Sequence, residues 1–225
     1  MNKPESVPRV GEVDWGDLRR LRPISDVFGQ DRGTTIRRYY IDKFLKDNRK
    51  CITGNVLEIG DATYTKKFGA ADAMVDILNL RSTGQKGTLV GDLVTGEGVP
   101  KNRYNAIILT QVLHILPDME SALQNVFSAL VPGGVILATI PVITQVSRFD
   151  MERWGDYWRV TDKALELLAE KNLPNCQTAV TAYGNHLTAL AALTGLAAEE
   201  LTGSELEFFD PDYQILIGMY SKKRK

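Results

Sequence analysis

The sequence predicts an α/β fold, an open and mostly parallel sheet with helices on both faces. Three observations carry this expectation. Short apolar runs alternate with helical patterns from Asn55 to the end of the chain. Two of those runs, "NAIIL" and "GVILATI", are continuously apolar, as strands buried on both faces require. Acids and glycines follow the first three runs, at the carboxyl edge where such sheets hold ligands.

The elements follow in order. Residues up to about Pro23 read as an irregular or loosely helical lead-in, and "FGQDRGTT" as a turn punctuated by Gly29 and Gly33. "TTIRRYYIDKFLKDN" reads as a helix, because Ile36, Tyr39, Tyr40 and Phe44 recur at helical spacing and Thr34 or Thr35 can cap it. "NVLEIG", "AMVDIL" and the weaker "GTLVGDL" read as strands. "YNAIILTQVL" is a long strand with its exit loop. "MESALQNVFSALV" is an amphipathic helix closed by Pro132-Gly133-Gly134, and "GVILATIP" is the next strand. "TDKALELLAEKN" is a helix capped by Thr161 or Asp162. "CQTAVTAYG" and "DYQILIGMYS" are the last strands, separated by the helix "HLTALAALTGLAAEEL".

The chain of 225 residues fits one domain with a full core. It divides into a lead-in and lid helix over 1–50 and a core over 51–225, with a substrate-loop insertion near 142–161. A net charge of −1 gives no basic field for nucleic acid. The basic cluster Lys222 to Lys225 reads as a solvated tail. Cys51 and Cys176 fall into no metal or redox spacing, so a reducing cytoplasm is the default. The N-terminal stretch lacks the apolar core of a signal peptide, and no apolar run is long enough to span a bilayer. No His/Asp/Glu cluster has metal spacing.

The chemistry is expected at the strand ends. Gly60 lets the chain turn sharply after the first strand and leaves room beside it for a ligand. Asp76, on the second strand, can accept from both ribose hydroxyls of a nucleoside. Asp92, in Gly91-Asp92-Leu93, can accept from an adenine amine, and Thr110-Gln111 would floor the reactive end. Each acid alone is as well explained as a helix cap or a solvated loop residue.

In "VLEIGD", Asp76, "GDL", "YNAIILTQVLHILPD" and "ALVPGGVILATIP" the sequence resembles class I S-adenosylmethionine-dependent methyltransferases of the small-molecule type 11 kind. The resemblance implies a Rossmann-like seven-stranded sheet with an antiparallel last strand, and S-adenosyl-L-methionine as cofactor. It implies cofactor contacts at Glu58, Gly60, Asp61, Asp76, Ile77, Asp92, Leu93, Thr110 and Gln111, with Tyr40 reaching over from the lid. The first loop, "GDATYTKKFG", departs from the family by keeping only Gly60 of its usual glycines. This cofactor has no pyrophosphate to cradle, so one close approach is enough. The same lack of glycines counts against a nicotinamide cofactor and an oxidoreductase. Asp61, Thr63 and Tyr64 are then candidates for the methionine end or the pocket wall.

"PISDVFGQDRGTTIRRYYIDKFL" and "SRFDMERWGDYWRVT" further resemble a bacterial subgroup often encoded beside glycosyltransferases. That resemblance implies O-methylation of a sugar or glycan precursor in polysaccharide biosynthesis. Tyr64, Arg153, Tyr157, Trp158 and Arg159, with Trp154 and Asp156 nearby, are the substrate candidates; aromatic faces suit sugars, and arginine suits carboxylate or phosphate. Ordinary packing accounts for the aromatics equally well. Arg32, Tyr39 and Tyr40 are candidates on the lid, and His114 is a candidate general base for a hydroxyl. Family members often read "VLEH" where this chain reads "VLHI", so His114 is displaced by one position, and a structural histidine fits as well. An acceptor amine or carboxylate, or a binding module without turnover, are the other readings.

Overall fold

The computed structural model describes residues 7–82, 84 and 88–225; the first six residues of the lead-in, and Gly87 at the head of the third apolar run, lie outside the described residues. Among the described residues, helix α1 (Ile36–Asp47) precedes β1 (Asn55–Ile59), α2 (Thr63–Phe68), β2 (Met74–Asn79), β3 (Thr88–Val90) and β4 (Tyr104–Thr110). Then come α3 (Met119–Ala129), β5 (Leu130–Pro141), α4 (Arg148–Arg153), α5 (Asp162–Asn172) and β6 (Cys176–Tyr183). Helices α6 (His186–Thr194) and α7 (Gly203–Glu207) and strand β7 (Leu216–Lys223) complete the chain.

The strands form one seven-stranded sheet in the order β3-β2-β1-β4-β5-β7-β6. β7 runs antiparallel to both β5 and β6, while the β1–β2, β1–β4, β2–β3 and β4–β5 pairs are parallel. Strand order reverses between β1 and β4, which makes their carboxyl ends the switch point where a ligand crevice opens.

Side chains along β4 alternate between two cores, as the period of a strand dictates. Ile107 and Leu109 join Leu57, Ile136 and Met219 under α3 and α5. Ala106 and Ile108 join Val56, Leu137 and Leu216 under α1 and α6. Helix α1 buries Ile36, Tyr40, Ile41, Phe44 and Leu45, a stripe at helical spacing. Thr35 is its cap, accepting from the Arg38 amide at 3.1 Å. Phe44 comes so near the sheet that a Cβ on Gly218 would lie 2.5 Å from its ring; the glycine in the middle of β7 is what lets α1 approach.

Several boundaries differ from the sequence expectation. "GDATYTKKFG" starts a helix, α2, instead of remaining a loop. "LVPGG" already belongs to β5: Leu130 pairs with Tyr104 and, after a bulge, Val135 pairs with Ala106. Helix α6 stops at Thr194, where Gly195 takes the left-handed conformation (φ +78°) and packs against the Ser25 backbone. The basic cluster is not simply a tail. Lys222 and Lys223 belong to β7, and Lys223 Nζ donates to Phe127 O (3.1 Å) and Leu130 O (2.9 Å), satisfying carbonyls at the end of α3. Among the described residues, no helix is long and apolar enough to cross a membrane.

Candidate active site

At the end of β1, Gly60 has φ +86°, its amide donates to Leu78 O (3.1 Å), and the space on its Cβ side is open. Glu58, two residues earlier, is only 1% exposed and reaches the start of α2. The Glu58 carboxylate accepts from the amides of Tyr64 and Thr65, both at 2.8 Å, and from Thr65 Oγ1 at 2.6 Å. Burial pushes the Glu58 pKa up and these hydrogen bonds hold it down. The first loop can do without its usual glycines because a buried carboxylate collects the free amides at the start of α2. Asp61 is exposed and accepts from the Thr63 amide.

Asp76 does not lie at a strand end. It pairs with Leu57 in the interior of the sheet, and its carboxylate meets Arg103 Nη2 (2.8 Å) and the Tyr104 hydroxyl (3.1 Å), residues at the amino end of β4. Ile77 is likewise interior, paired with Glu58 and Thr88. The residue at the carboxyl end of β2 is Asn79, whose Nδ2 donates to Gly60 O at 3.3 Å. Its Oδ1 stays available as an acceptor beside the Gly60 opening. The clue in the sequence was the length of the apolar run: "MVDILN" continues past Asp76.

After β3, Asp92 accepts from the Val94 amide (2.7 Å). Leu93 is 4% exposed, and its carbonyl accepts from Asn125 of α3. Thr110 ends β4, and Gln111 follows with φ +56°, its amide donating to Thr139 O (3.0 Å). The ends of β1, β2, β3 and β4 thus carry Gly60, Asn79, Asp92 and Thr110 along one edge.

Next to this edge, beyond β4 and β5, is a cavity of about 190 Å³. Its walls include Phe28 and Gln30 of the lead-in, Thr35, Arg37, Arg38 and Ile41 of the α1 region, Gln111 and His114 after β4, and Asp150, Asp156 and Arg159 after β5. The lead-in is held in place by Ile24 N to Thr194 O (2.8 Å) and by a bridge between Thr35 and Ala197. Arg159 forms a bidentate pair with Asp156 (2.6 and 2.7 Å), and this hydrogen bonding keeps the Asp156 carboxyl below its usual range.

His114 sits on a single 3-10 turn, Leu113–Ile115, and is 5% exposed. Its carbonyl accepts from the amides of Tyr157 (2.9 Å) and Trp158 (3.2 Å), so the post-β5 loop fixes its backbone. Its Nδ1 is buried with no hydrogen-bond partner. Burial lowers its pKa to about 4, helped by Arg159 and Arg37 and opposed by Asp156, so the ring is neutral at neutral pH.

Other candidates are placed elsewhere. Tyr40 is core: 1% exposed, stacked on Tyr183, its hydroxyl donating to Leu206 O. Tyr64 is buried against Arg38, outside the cavity wall. Arg32 pairs with Glu200, and Tyr39 donates to Glu207. Arg153 lies over the Phe149 ring on exposed α4. Tyr157 is exposed, and the Trp158 indole donates to Leu116 O. Of the five substrate candidates only Arg159 lines the cavity. Most of the cavity lining was missed by sequence reading, Arg37 among it. Its signal was a charge on the inward stripe of α1, in line with Ile41 and Phe44.

Residues 38–184 match a family described as a methyltransferase domain. No match to the sequence was found among curated proteins. Among solved structures, a SAM-dependent methyltransferase from Archaeoglobus fulgidus is similar at TM-score 0.53 and 12% identity, covering 83% of this chain and 94% of that one. The N-methyltransferase NodS from Bradyrhizobium japonicum WM9, solved with S-adenosyl-L-homocysteine, is similar at 0.52 and 15%, covering 88% and 93%. The [4+2]-cyclase SpnF is similar at 0.54 and 14%, covering 91% and 87%. At these identities the likeness is one of fold, and a cyclase among the neighbours shows that the fold alone does not set the reaction.

Proposed function

The chain belongs to the methyltransferase-domain family and is an S-adenosylmethionine-dependent methyltransferase; from that premise we propose that it methylates a hydroxyl of a sugar or glycan precursor held in the cavity beyond β4 and β5. The observation that carries this reading is the wall of that cavity. Gln30, Thr35, Gln111, Thr144, Gln145 and Ser147 bring amides and hydroxyls to one polar pocket beside a buried neutral imidazole. Such a lining suits a polyol better than an apolar ring.

The strand ends suit this cofactor. The open Cβ side of Gly60 leaves room for a close approach, and Asn79 Oδ1 and the Asp92 carboxylate offer acceptors on the same edge. In this reading Gly60 and Asp61 border the methionine end, Asn79 takes the ribose hydroxyls, Asp92 the adenine amine, and Thr110 with Gln111 forms the floor. When bound, S-adenosylmethionine supplies a methyl already activated by its sulfonium. The protein then has to align the acceptor hydroxyl and receive its proton. His114 lines the cavity with its ring neutral, which makes it the candidate to accept that proton. Tyr157 and Trp158 position it through its carbonyl. The unpaired Cys51 and Cys176 agree with work in a reducing cytoplasm.

The test is methyl transfer from labelled S-adenosylmethionine to a panel of sugars, amines and carboxylates, with the product bond assigned by NMR. An O-methyl sugar, and a loss of about 10²-fold or more in kcat with His114→Asn, are expected. Transfer to an amine or carboxylate with no sugar hydroxyl used would overturn the reading.

A further inference from the structure

Three arginines line the cavity, Arg37, Arg38 and Arg159. Arg159 is neutralised by its bidentate contact with Asp156. Arg38 donates to the Tyr64 hydroxyl and lies over that ring. Arg37 has no ion pair and no side-chain hydrogen bond among the described residues. Its guanidinium lies 4.4 Å from the centroid of the Phe28 ring. Asp150 and Asp156 affect it through the field alone, and burial lowers its pKa to about 10, leaving it charged at neutral pH.

A half-buried cation without a carboxylate is costly, and so is a cation in the first turn of a helix. Arg37 meets both conditions, and α1 has no acid in its first turn to offset them. Two further observations mark the same cavity. Phe28 (φ +63°) and Gln111 (φ +56°) are held in left-handed conformations and both face it. His114 Nδ1, on a residue 5% exposed, is buried without a partner in its wall. Strain and unmet polar groups gathered at one cavity point to a ligand that completes them.

We propose that Arg37 is an anion-binding subsite, and that the acceptor is an acidic sugar whose carboxylate or phosphate docks on its guanidinium. This names the substrate class within the sugar reading above and rests on it. Phe28 backs the guanidinium at 4.4 Å, and the guanidinium donors, which have no hydrogen-bond partner among the described residues, serve a two-point contact with the anion. The orientation of the sugar is then set by its charged group, and a hydroxyl elsewhere on the ring is presented to His114.

The test titrates the protein, saturated with S-adenosylhomocysteine, with glucuronate, glucose 1-phosphate and glucose, and repeats this with Arg37→Gln and Arg37→Lys. At least one anionic sugar is expected to bind about tenfold tighter than glucose. Arg37→Gln removes that difference, with the Tm equal or higher and the affinity for S-adenosylhomocysteine unchanged. Arg37→Lys restores part of any phosphate preference and less of a carboxylate preference. Preference for glucuronate assigns a carboxylate; preference for glucose 1-phosphate assigns a phosphate. Equal binding of all three sugars overturns the proposal, as does a lowered Tm in Arg37→Gln, which would make the guanidinium structural. If no sugar binds, the sugar reading fails, and inorganic phosphate and acetate decide the subsite alone. Anion binding that Arg37→Gln abolishes upholds it, and no anion binding overturns it.

Discussion

Asp76 and Asn79 lie on the same strand, and their positions along it give them different work. Asp76 ties β2 to the amino end of β4 through Arg103 and Tyr104. Asn79 ends the strand beside Gly60. Asn79→Ala is therefore expected to weaken S-adenosylhomocysteine binding by about tenfold, roughly 1.4 kcal/mol. Asp76→Ala should lower the Tm and leave that affinity within about threefold, since the Tyr104 hydroxyl loses its partner far from the edge. Calorimetric titration and melting of both variants separate the two; the reverse pattern would return the ribose role to Asp76. His114 makes a pH prediction of definite sign. Its pKa falls from 6.5 to about 4 on folding, so above pH 6.5 it costs the fold nothing. As pH falls from 6.5 toward 4 the unfolded chain takes up a proton that the folded chain refuses. Stability is lost over that window, by up to about 3 kcal/mol. His114→Asn should lose less over the same window in chemical denaturation; parallel curves would mean that the imidazole is not held neutral.

Helix α2 shows how one residue sets an element. Without Glu58 the amides of Tyr64 and Thr65 would be buried and unpaired. Glu58→Ala should cost about 3 kcal/mol, read as a shift in denaturation midpoint. The helix was not legible in "GDATYTKKFG" because its capping group comes from the preceding strand. Helix α1 shows the opposite case. Its apolar spacing and Thr35 cap are both local, and both were legible. Its seat on the sheet was not, because that depends on Gly218 meeting Phe44. Gly218→Ala should destabilise by about 1–3 kcal/mol through overpacking. An unchanged Tm would show that α1 can move away from β7 without loss.

At the scale of the whole molecule, the cavity beyond β4 and β5 is assembled from segments remote in sequence. Phe28 and Gln30 precede α1, His114 follows β4, and Asp156 and Arg159 follow β5. Phe28→Ala is expected to raise the acceptor KM by about tenfold or more, because it removes the ring that backs Arg37. Cofactor affinity should stay the same, and steady-state kinetics with varied acceptor checks it. Alternation of strand and helix and the apolar runs were enough for the sequence to determine the mostly parallel sheet, with its antiparallel last strand given by resemblance. These are local patterns whose period is set by the backbone. Which side chain of β2 reaches the carboxyl edge of the sheet, and which arginine of the cavity has no ion pair among the described residues, were decided only by tertiary structure. Strand register carried Asp76 into the sheet interior and Asn79 to the strand end, and the fold brought Arg37 into one cavity with Arg159, whose acid Asp156 lies three residues before it, while no acid among the described residues pairs with Arg37. Whether an acid from another segment reaches an arginine depends on distances between segments, and those distances exist only once the chain has folded.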